Sequence, residues 1–203
     1  IGNLDVSGVN AGTVAIDVAR LDVQGALTGT SLLTGDLGIG GDVSLVASES
    51  APLSAGSSID VSGSAQGGNI DVTAPLLPLT ATSLNAQGAT GGVIRVGGEA
   101  EGGFDLATDE LANASVLTLD ADTRIDASAL GTTGNGGDVT LWADQSATAA
   151  AQIDASGGAD GGDGGFVEVS ALDSWSYANW ATGVDVSAPN GQAGTFLLDP
   201  TNI

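Results

Sequence analysis

Residues 59–73 read Ile-Asp-Val-Ser-Gly-Ser-Ala-Gln-Gly-Gly-Asn-Ile-Asp-Val-Thr, and this stretch contains the unit that recurs along the chain. A short strand of the type Ile-Asp-Val-Ser leads through a turn to Gly-Gly and a second strand. Apolar and polar residues alternate in both strands, which is the pattern of a strand with one buried face. The alternation predicts that Ile59, Val61, Ile70 and Val72 point inward and that Asp60 points outward.

Copies of this unit are spaced at intervals typical of a solenoid. The first glycine of the second strand falls at residues 40, 67, 91, 136, 164 and 194, so the intervals are 27, 24, 45, 28 and 30 residues. We interpret the interval of 45 as two coils, with Phe104, Leu106, Val116 and Leu119 in the second. Repeats of 20–50 residues indicate stacked coils. The sequence therefore predicts an all-β, right-handed parallel β-helix of roughly eight coils, on the order of 40 Å long.

We expect residues 1–203 to form a single β-helix segment of a larger protein, with aromatic-rich terminal coils at residues 136–203. An antiparallel β-sandwich would fit the density of strands but not the repeated unit. The paired glycines before each second strand are predicted to permit positive φ in a tight turn.

Composition restricts the function. The chain has 25 acidic residues, three basic residues (all Arg), a net charge of −22, and no His or Cys. Nucleic acid is excluded as a partner because phosphates need Lys or Arg, and membrane insertion is excluded because no apolar run is long enough. The missing His, Cys and Lys remove most nucleophile–base pairs, so we predict no enzyme. Carboxylate pairs leave a polysaccharide lyase or glycosidase as a third hypothesis.

One aspartate recurs at the second position of the first strand. In-register stacking would place these carboxylates in an outer row, where Ca²⁺ would relieve their repulsion. The candidate calcium ligands are Asp60, Asp126, Asp154 and Asp185, and no other cofactor is predicted. The alternative, which we favour, is a solvated acidic face that maintains solubility.

Six of the seven aromatic residues follow residue 141. Alternation places Trp142 and Phe166 outside, where we expect them to cover each other. Trp175, Tyr177 and Trp180 lie together and either pack beneath a loop, the reading we favour, or join the first two in an interaction patch. Such a patch would bind a glycan or a protein.

The terminal third of the chain resembles a known family. The motifs are Gly-Gly-Asp-Val-Thr-Leu-Trp-Ala-Asp at 136–144, Ile-Asp-Ala-Ser-Gly-Gly at 153–158, Asp-Gly-Gly-Phe-Val-Glu-Val-Ser at 163–170, and the ending Ser-Ala-Pro-Asn-Gly-Gln-Ala-Gly-Thr-Phe-Leu-Leu-Asp-Pro at 187–200. They resemble the filamentous haemagglutinin-like exoproteins of two-partner secretion, in their haemagglutination-activity-related repeat region. The resemblance implies a right-handed parallel β-helix in a secreted or cell-surface protein. We find no Asn-rich motif of that family's secretion domain and expect this piece to lie downstream of one.

These observations lead to three hypotheses of function. The first is a structural or adhesive shaft segment of a secreted bacterial surface exoprotein, acting in cell adhesion, biofilm or extracellular matrix. Its partners would be a host or neighbouring-cell surface, or a glycan. The second is a self-assembling filament subunit that stacks head to tail through open β-helix ends, since neither terminus has an obvious polar cap. The third is the carbohydrate-active enzyme.

Overall fold

The computed structural model describes residues 1–34, 37–103, 111–178 and 183–198. Within these ranges the chain is an all-β solenoid, and all strands pair in parallel with strands of neighbouring coils. The predicted parallel β-helix is therefore confirmed, and an antiparallel sandwich is excluded. Beside the strands there is a short turn at Ala100–Gly103, in which Glu101 and Gly102 have left-handed φ values of 53° and 68°. No helix in the described ranges is long and apolar enough to cross a membrane.

Face 1 of the solenoid is a sheet of seven short strands, one from each successive coil. In stacking order they are β1 (Leu4–Asp5), β3 (Ala26–Thr28), β5 (Ser58–Asp60), β8 (Ser83–Asn85), β11 (Arg124–Asp126), β14 (Gln152–Asp154) and β17 (Val184–Asp185).

A second sheet forms the remaining two faces. Face 2 contains β2 (Thr13–Arg20), β4 (Asp42–Ser50), β6 (Asn69–Thr73), β9 (Val93–Val96), β12 (Asp138–Ala143), β15 (Phe166–Ala171) and β18 (Thr195–Leu197). Face 3 contains β7 (Leu76–Leu79), β10 (Val116–Leu119), β13 (Ser146–Ala149) and β16 (Ser174–Tyr177). The long strand β4 joins the two faces, because it pairs with β6 at one end and reaches β7 through Ser50.

The predicted number of coils is too high. Seven stacked strands on face 1 are separated by six turns, so the solenoid has about six complete turns and is roughly 30 Å long. The error lies in the interval of 45 residues, because β9 pairs directly with β12 and Val93 lies beside Asp138. Val116 and Leu119 belong to β10 on face 3 of that same coil. Phe104 and Leu106 lie outside the described residues.

The core is a set of aliphatic rows that run from coil to coil. Register on face 1 stacks Leu27, Ile59, Leu84, Ile125 and Ile153, each no more than 2% exposed. The predicted inward residues of residues 59–73 are likewise fully buried. Small branched side chains suit this position, since each fills the thin space between coils and contacts its equivalents above and below.

The glycine pairs before the face 2 strands have a different cause from the one predicted. None of them has positive φ; the positive values belong to other glycines, such as Gly56, Gly97 and Gly162. A Cβ on Gly137 would lie 2.0 Å from the carbonyl oxygen of Gly92 in the preceding coil. The pairs are thus required by the close approach of stacked backbones at this corner.

Candidate functional site

The recurring aspartates form one row along face 1, as the repeat predicts. Strand register places the row in the order Asp60, Asn85, Asp126, Asp154 and Asp185. The uncharged Asn85 separates the first carboxylate from the others. Only the last three carboxylates of the row therefore stand in adjacent coils.

Each member of the row closes a turn at the end of its strand. The Oδ1 atom accepts a hydrogen bond from the backbone N–H two residues further on, at 2.8–3.0 Å in these five residues and in Asp5 of the first coil. This is an Asx turn, which any Asp or Asn can make, so Asn85 replaces aspartate without loss of the bond. Hydrogen bonds from Ser7 lower the pKa of Asp5 in the same arrangement.

The predicted calcium ligands are these same carboxylates. A shallow depression of about 350 Å³ lies over Asp126, Asp154 and Asp185, and the guanidinium-bearing Arg124 also lines it. The described residues contain no group of three or more His, Cys, Asp or Glu side chains placed to hold a metal ion. Turn closure is the role that the geometry assigns to the row, and calcium binding stays a prediction.

A segment between β9 and β10 lies against the outside of face 2; we call its described residues, 97–103 and 111–113, the covering segment. Trp142 points outward, as alternation predicts, yet it is only 3% exposed. A Cβ on Gly102 would lie 2.5 Å from the indole ring, which shows how closely the segment covers it. The indole N–H donates to Asp144 at 3.1 Å. Trp142 is therefore not available as part of an exposed patch.

Charged side chains fasten the covering segment to face 2. Arg95 makes a bidentate pair with Asp71 (2.7 and 2.9 Å) and donates to both oxygens of Glu99 (2.7 and 2.8 Å). The backbone N–H of Glu101 donates to the carboxylate of Glu168, which is fully buried. Burial alone would lower the pKa of Arg95, but its hydrogen bonds to the two carboxylates outweigh this and raise it.

The described residues of the cluster at 175–180 pack against the protein and do not form an exposed interaction patch. Tyr177 is 5% exposed, its hydroxyl donates to the carbonyl of Ala151 at 2.7 Å, and its ring meets Phe196 edge to face with centroids 6.0 Å apart. Burial raises the pKa of Tyr177 to about 12. Trp175 is half-buried against the core, and Trp180 lies outside the described residues.

Phe166 is an outward-facing aromatic residue of face 2 that stays partly open to solvent. Register places it beside Asp138, whereas Trp142 lies beside Ser170, so the prediction that the two aromatic rings cover each other is wrong. Desolvation raises the pKa of Asp138, although the backbone N–H of Phe166 acts against this. Phe166 and Asp138 together line two adjoining depressions, of about 320 and 410 Å³.

The covering segment is the functional feature that sequence reasoning missed. Its signal is the run from Gly97 to Gly103, in which two glycine pairs flank charged residues and the alternation of period two stops. Such a break marks a loop rather than a further strand.

Comparisons with known proteins find a likeness in structure but none in sequence. No protein-family model matches the chain, and no curated protein matches it in sequence. The crystal structure of the HMW1 secretion domain from Haemophilus influenzae is similar over 98% of this chain, with a TM-score of 0.69 and 24% sequence identity. This chain spans 48% of that chain. The likeness shows that the two share a fold.

Proposed function

We propose that this chain is a structural and adhesive shaft segment of a secreted bacterial exoprotein exported by a two-partner system. The observation that carries the proposal is the likeness in fold, over nearly the whole chain, to a secretion domain. Because the likeness concerns the fold alone, the position of this piece downstream of a secretion domain stays a prediction. The family resemblance of residues 136–203 supports the same route of export. The net charge of −22 suits a protein that must remain soluble outside the cell. We propose that the chain has no catalytic activity.

A regular stack of coils suits a shaft, which keeps two parts of a protein at a fixed distance. The strands of each coil pair only with strands of neighbouring coils, so stability grows by similar increments along the stack. Extra chain is accommodated outside the stack, as the covering segment shows, because β9 and β12 still pair in register across it. A shaft built in this way gains length by adding coils and gains surface features by lengthening turns.

Secretion is tested in the source bacterium with antibodies against the 203-residue chain. We expect immunogold label on intact cells or protein in the culture supernatant, and label confined to lysed cells would contradict the proposal. In-frame deletion of residues 124–151 removes one whole coil and should leave export intact. Deletion of residues 138–151 removes half a coil, breaks the stacking register, and should reduce the exported protein.

Adhesion is tested separately with beads that carry the purified chain. The proposal predicts that they bind host or neighbouring bacterial cells better than albumin-coated beads do. Equal binding of the two kinds of bead would remove the adhesive part of the proposal and leave the shaft.

End-to-end filament formation by the isolated 203-residue chain is a second candidate, favoured by apolar side chains that are partly exposed in the first and last described coils. Leu4 in the first coil is 39% exposed, whereas its stacked equivalents Leu27 and Ile59 are fully buried. At the other end Val184 and Phe196 are only partly buried. Unpaired strand edges with apolar side chains can accept another coil. Electron microscopy of the isolated chain should then show filaments that Leu4→Asp shortens, and dispersed short rods would refute this candidate.

A further inference from the structure

A groove with a glycine floor runs across the coils beside Phe166. The floor is formed by Gly136, Gly164, Gly165 and Gly194. Side chains cannot fill it, because a Cβ on Gly136 or Gly165 would lie 1.9 Å from a carbonyl oxygen of a neighbouring coil. The stacking that requires these glycines thus also leaves a shallow, open depression on the surface.

One wall of the groove is a row of polar side chains from three successive coils, Asn135, Asp163 and Gln192. Hydrogen bonds from backbone N–H groups hold the side chains of this wall in place. Asn135 Oδ1 accepts the N–H of Asp163 at 2.8 Å, and Asp163 Oδ1 accepts the N–H of Gln192 at 2.8 Å. The amide nitrogen of Asn135 and the amide of Gln192 supply donors, and the second oxygen of Asp163 supplies an acceptor.

The opposite wall contains the ring of Phe166 between Asp138 and Thr195, its partners in register. The equivalent positions in the preceding coils are Asn69 and Val93, so Phe166 places a ring in a row of smaller side chains. Beyond the ring, the second depression is lined by Arg95, Glu99 and Thr140 among others. An elongated ligand could therefore contact both depressions with the ring between them.

The chemistry of this surface selects against a peptide. The floor N–H groups are already used between coils: Gly136 donates to Asp163 and Gly164 donates to Gln192, both at 2.9 Å. An extended peptide would thus find no free strand edge to pair with. Recognition must come from side-chain donors and acceptors and from the apolar face of Phe166.

The charges on this surface further restrict the class of ligand that can bind. The guanidinium of Arg95 is already paired with Asp71 and Glu99, and the net charge of −22 repels polyanions. A ligand with many hydroxyl groups, an apolar ring face and no negative charge fits these walls. The side chains also repeat every 4.7–4.9 Å along the stack, a spacing close to the length of one sugar residue in a chain.

We propose that this groove binds a neutral oligosaccharide, with one sugar ring stacked on Phe166 and its hydroxyl groups hydrogen-bonded to Asn135, Asp163 and Gln192. The site goes beyond the shaft role and does not depend on it, since the test uses the isolated chain and makes no reference to export.

The test is titration calorimetry and saturation-transfer NMR of the 203-residue chain with cellohexaose, maltohexaose, xylohexaose and mannohexaose. We expect at least one of them to bind. Phe166→Ala should weaken that binding about tenfold, as loss of ring stacking implies. Phe166→Tyr should retain it, and Gln192→Ala should weaken it a fewfold. Leu76→Ala is the matched control, because Leu76 is a half-exposed apolar residue on face 3.

Circular dichroism of each variant confirms that the coils remain folded. The proposal is overturned if none of the four sugars binds, or if Phe166→Ala and Leu76→Ala weaken binding equally. It is also overturned if a lysine-rich peptide binds in a Phe166-dependent manner while the sugars do not, since that result would assign the groove to a protein partner.

Discussion

Gly137→Ala tests the close stacking of coils on which the fold depends. Gly137 precedes β12, at the corner where its coil passes over the coil of β9. An alanine Cβ at this position would lie 2.0 Å from the oxygen of Gly92, where real Cβ contacts do not fall below 3.0 Å. Because Gly137 has no positive φ, alanine adds no strain in φ and the effect is purely steric.

The expected loss of stability follows from the backbone shift that the substitution requires. The two backbones have to separate by about 1 Å, and the hydrogen bond from Asp138 N–H to the Gly92 oxygen, 3.0 Å long, would be strained or lost. Overpacking costs about 1–3 kcal/mol, and a buried backbone group without its partner costs about 1–3 kcal/mol more. We therefore expect Gly137→Ala to lower the free energy of unfolding by about 2–6 kcal/mol, or the melting temperature by on the order of 10 °C.

The assay is thermal and urea unfolding followed by far-ultraviolet circular dichroism, with Gly161→Ala as the matched control. A Cβ on Gly161 meets nothing closer than 3.8 Å, and its φ is not positive. The control should stay within about 0.5 kcal/mol of the parent, or gain slightly because alanine restricts the unfolded chain. If Gly137→Ala and Gly161→Ala have the same free energy of unfolding, stacking does not require glycine at position 137 and the reasoning fails.

Three further changes probe the remaining features. Arg95→Met leaves the buried Glu99 carboxylate unpaired and should cost about 2–3 kcal/mol in urea unfolding, whereas Arg20→Met breaks a solvent-exposed pair and should cost under about 0.5 kcal/mol; equal losses would contradict the fastening role. Asp126→Ala should cost about 1 kcal/mol because the turn loses its acceptor, while Asp126→Asn should not; a melting temperature that millimolar Ca²⁺ raises in the parent and not in Asp126→Asn would instead indicate a metal ligand. Tyr177 is the single tyrosine, so phenolate absorbance should titrate near pH 12 rather than near the ordinary value of about 10. Its stabilising contribution is present below pH 10 and is lost as the pH rises towards 12, and a phenolate midpoint near 10 would show that the ring is not buried.

The sequence predicted those features that depend on local chain direction. In a strand the side of each residue follows from alternation alone, so the inward positions of Ile59 and Val61 were correct. The order of the aspartate row was also predictable, because equal positions in a repeat must stack. The turn closure by Asp126 and its equivalents was open to prediction as well, since Asp-x-Ser at a strand end is a turn motif.

The features that the sequence did not predict depend on contacts between residues that lie far apart in the chain. The strand containing Val116 and Leu119 alternates like any other, so its period cannot distinguish a third face from an extra coil. Trp142 was correctly placed outside, but its burial depends on a segment about 40 residues earlier in the chain. The glycine pairs were correctly located at turns and wrongly explained, because their neighbours are carbonyl oxygens of the preceding coil.

Directed cross-linking tests the stacking of coils across the covering segment most directly. The chain has no cysteine, so a pair can be introduced without background. Val93→Cys with Asp138→Cys places the two thiols on adjacent strands in register, where Cα separations of roughly 5 Å permit a disulfide. Val93→Cys with Phe166→Cys separates them by two coils, roughly 10 Å. The account predicts that mild oxidation cross-links the first pair and not the second, and cross-linking of only the second pair, or of neither, would contradict it.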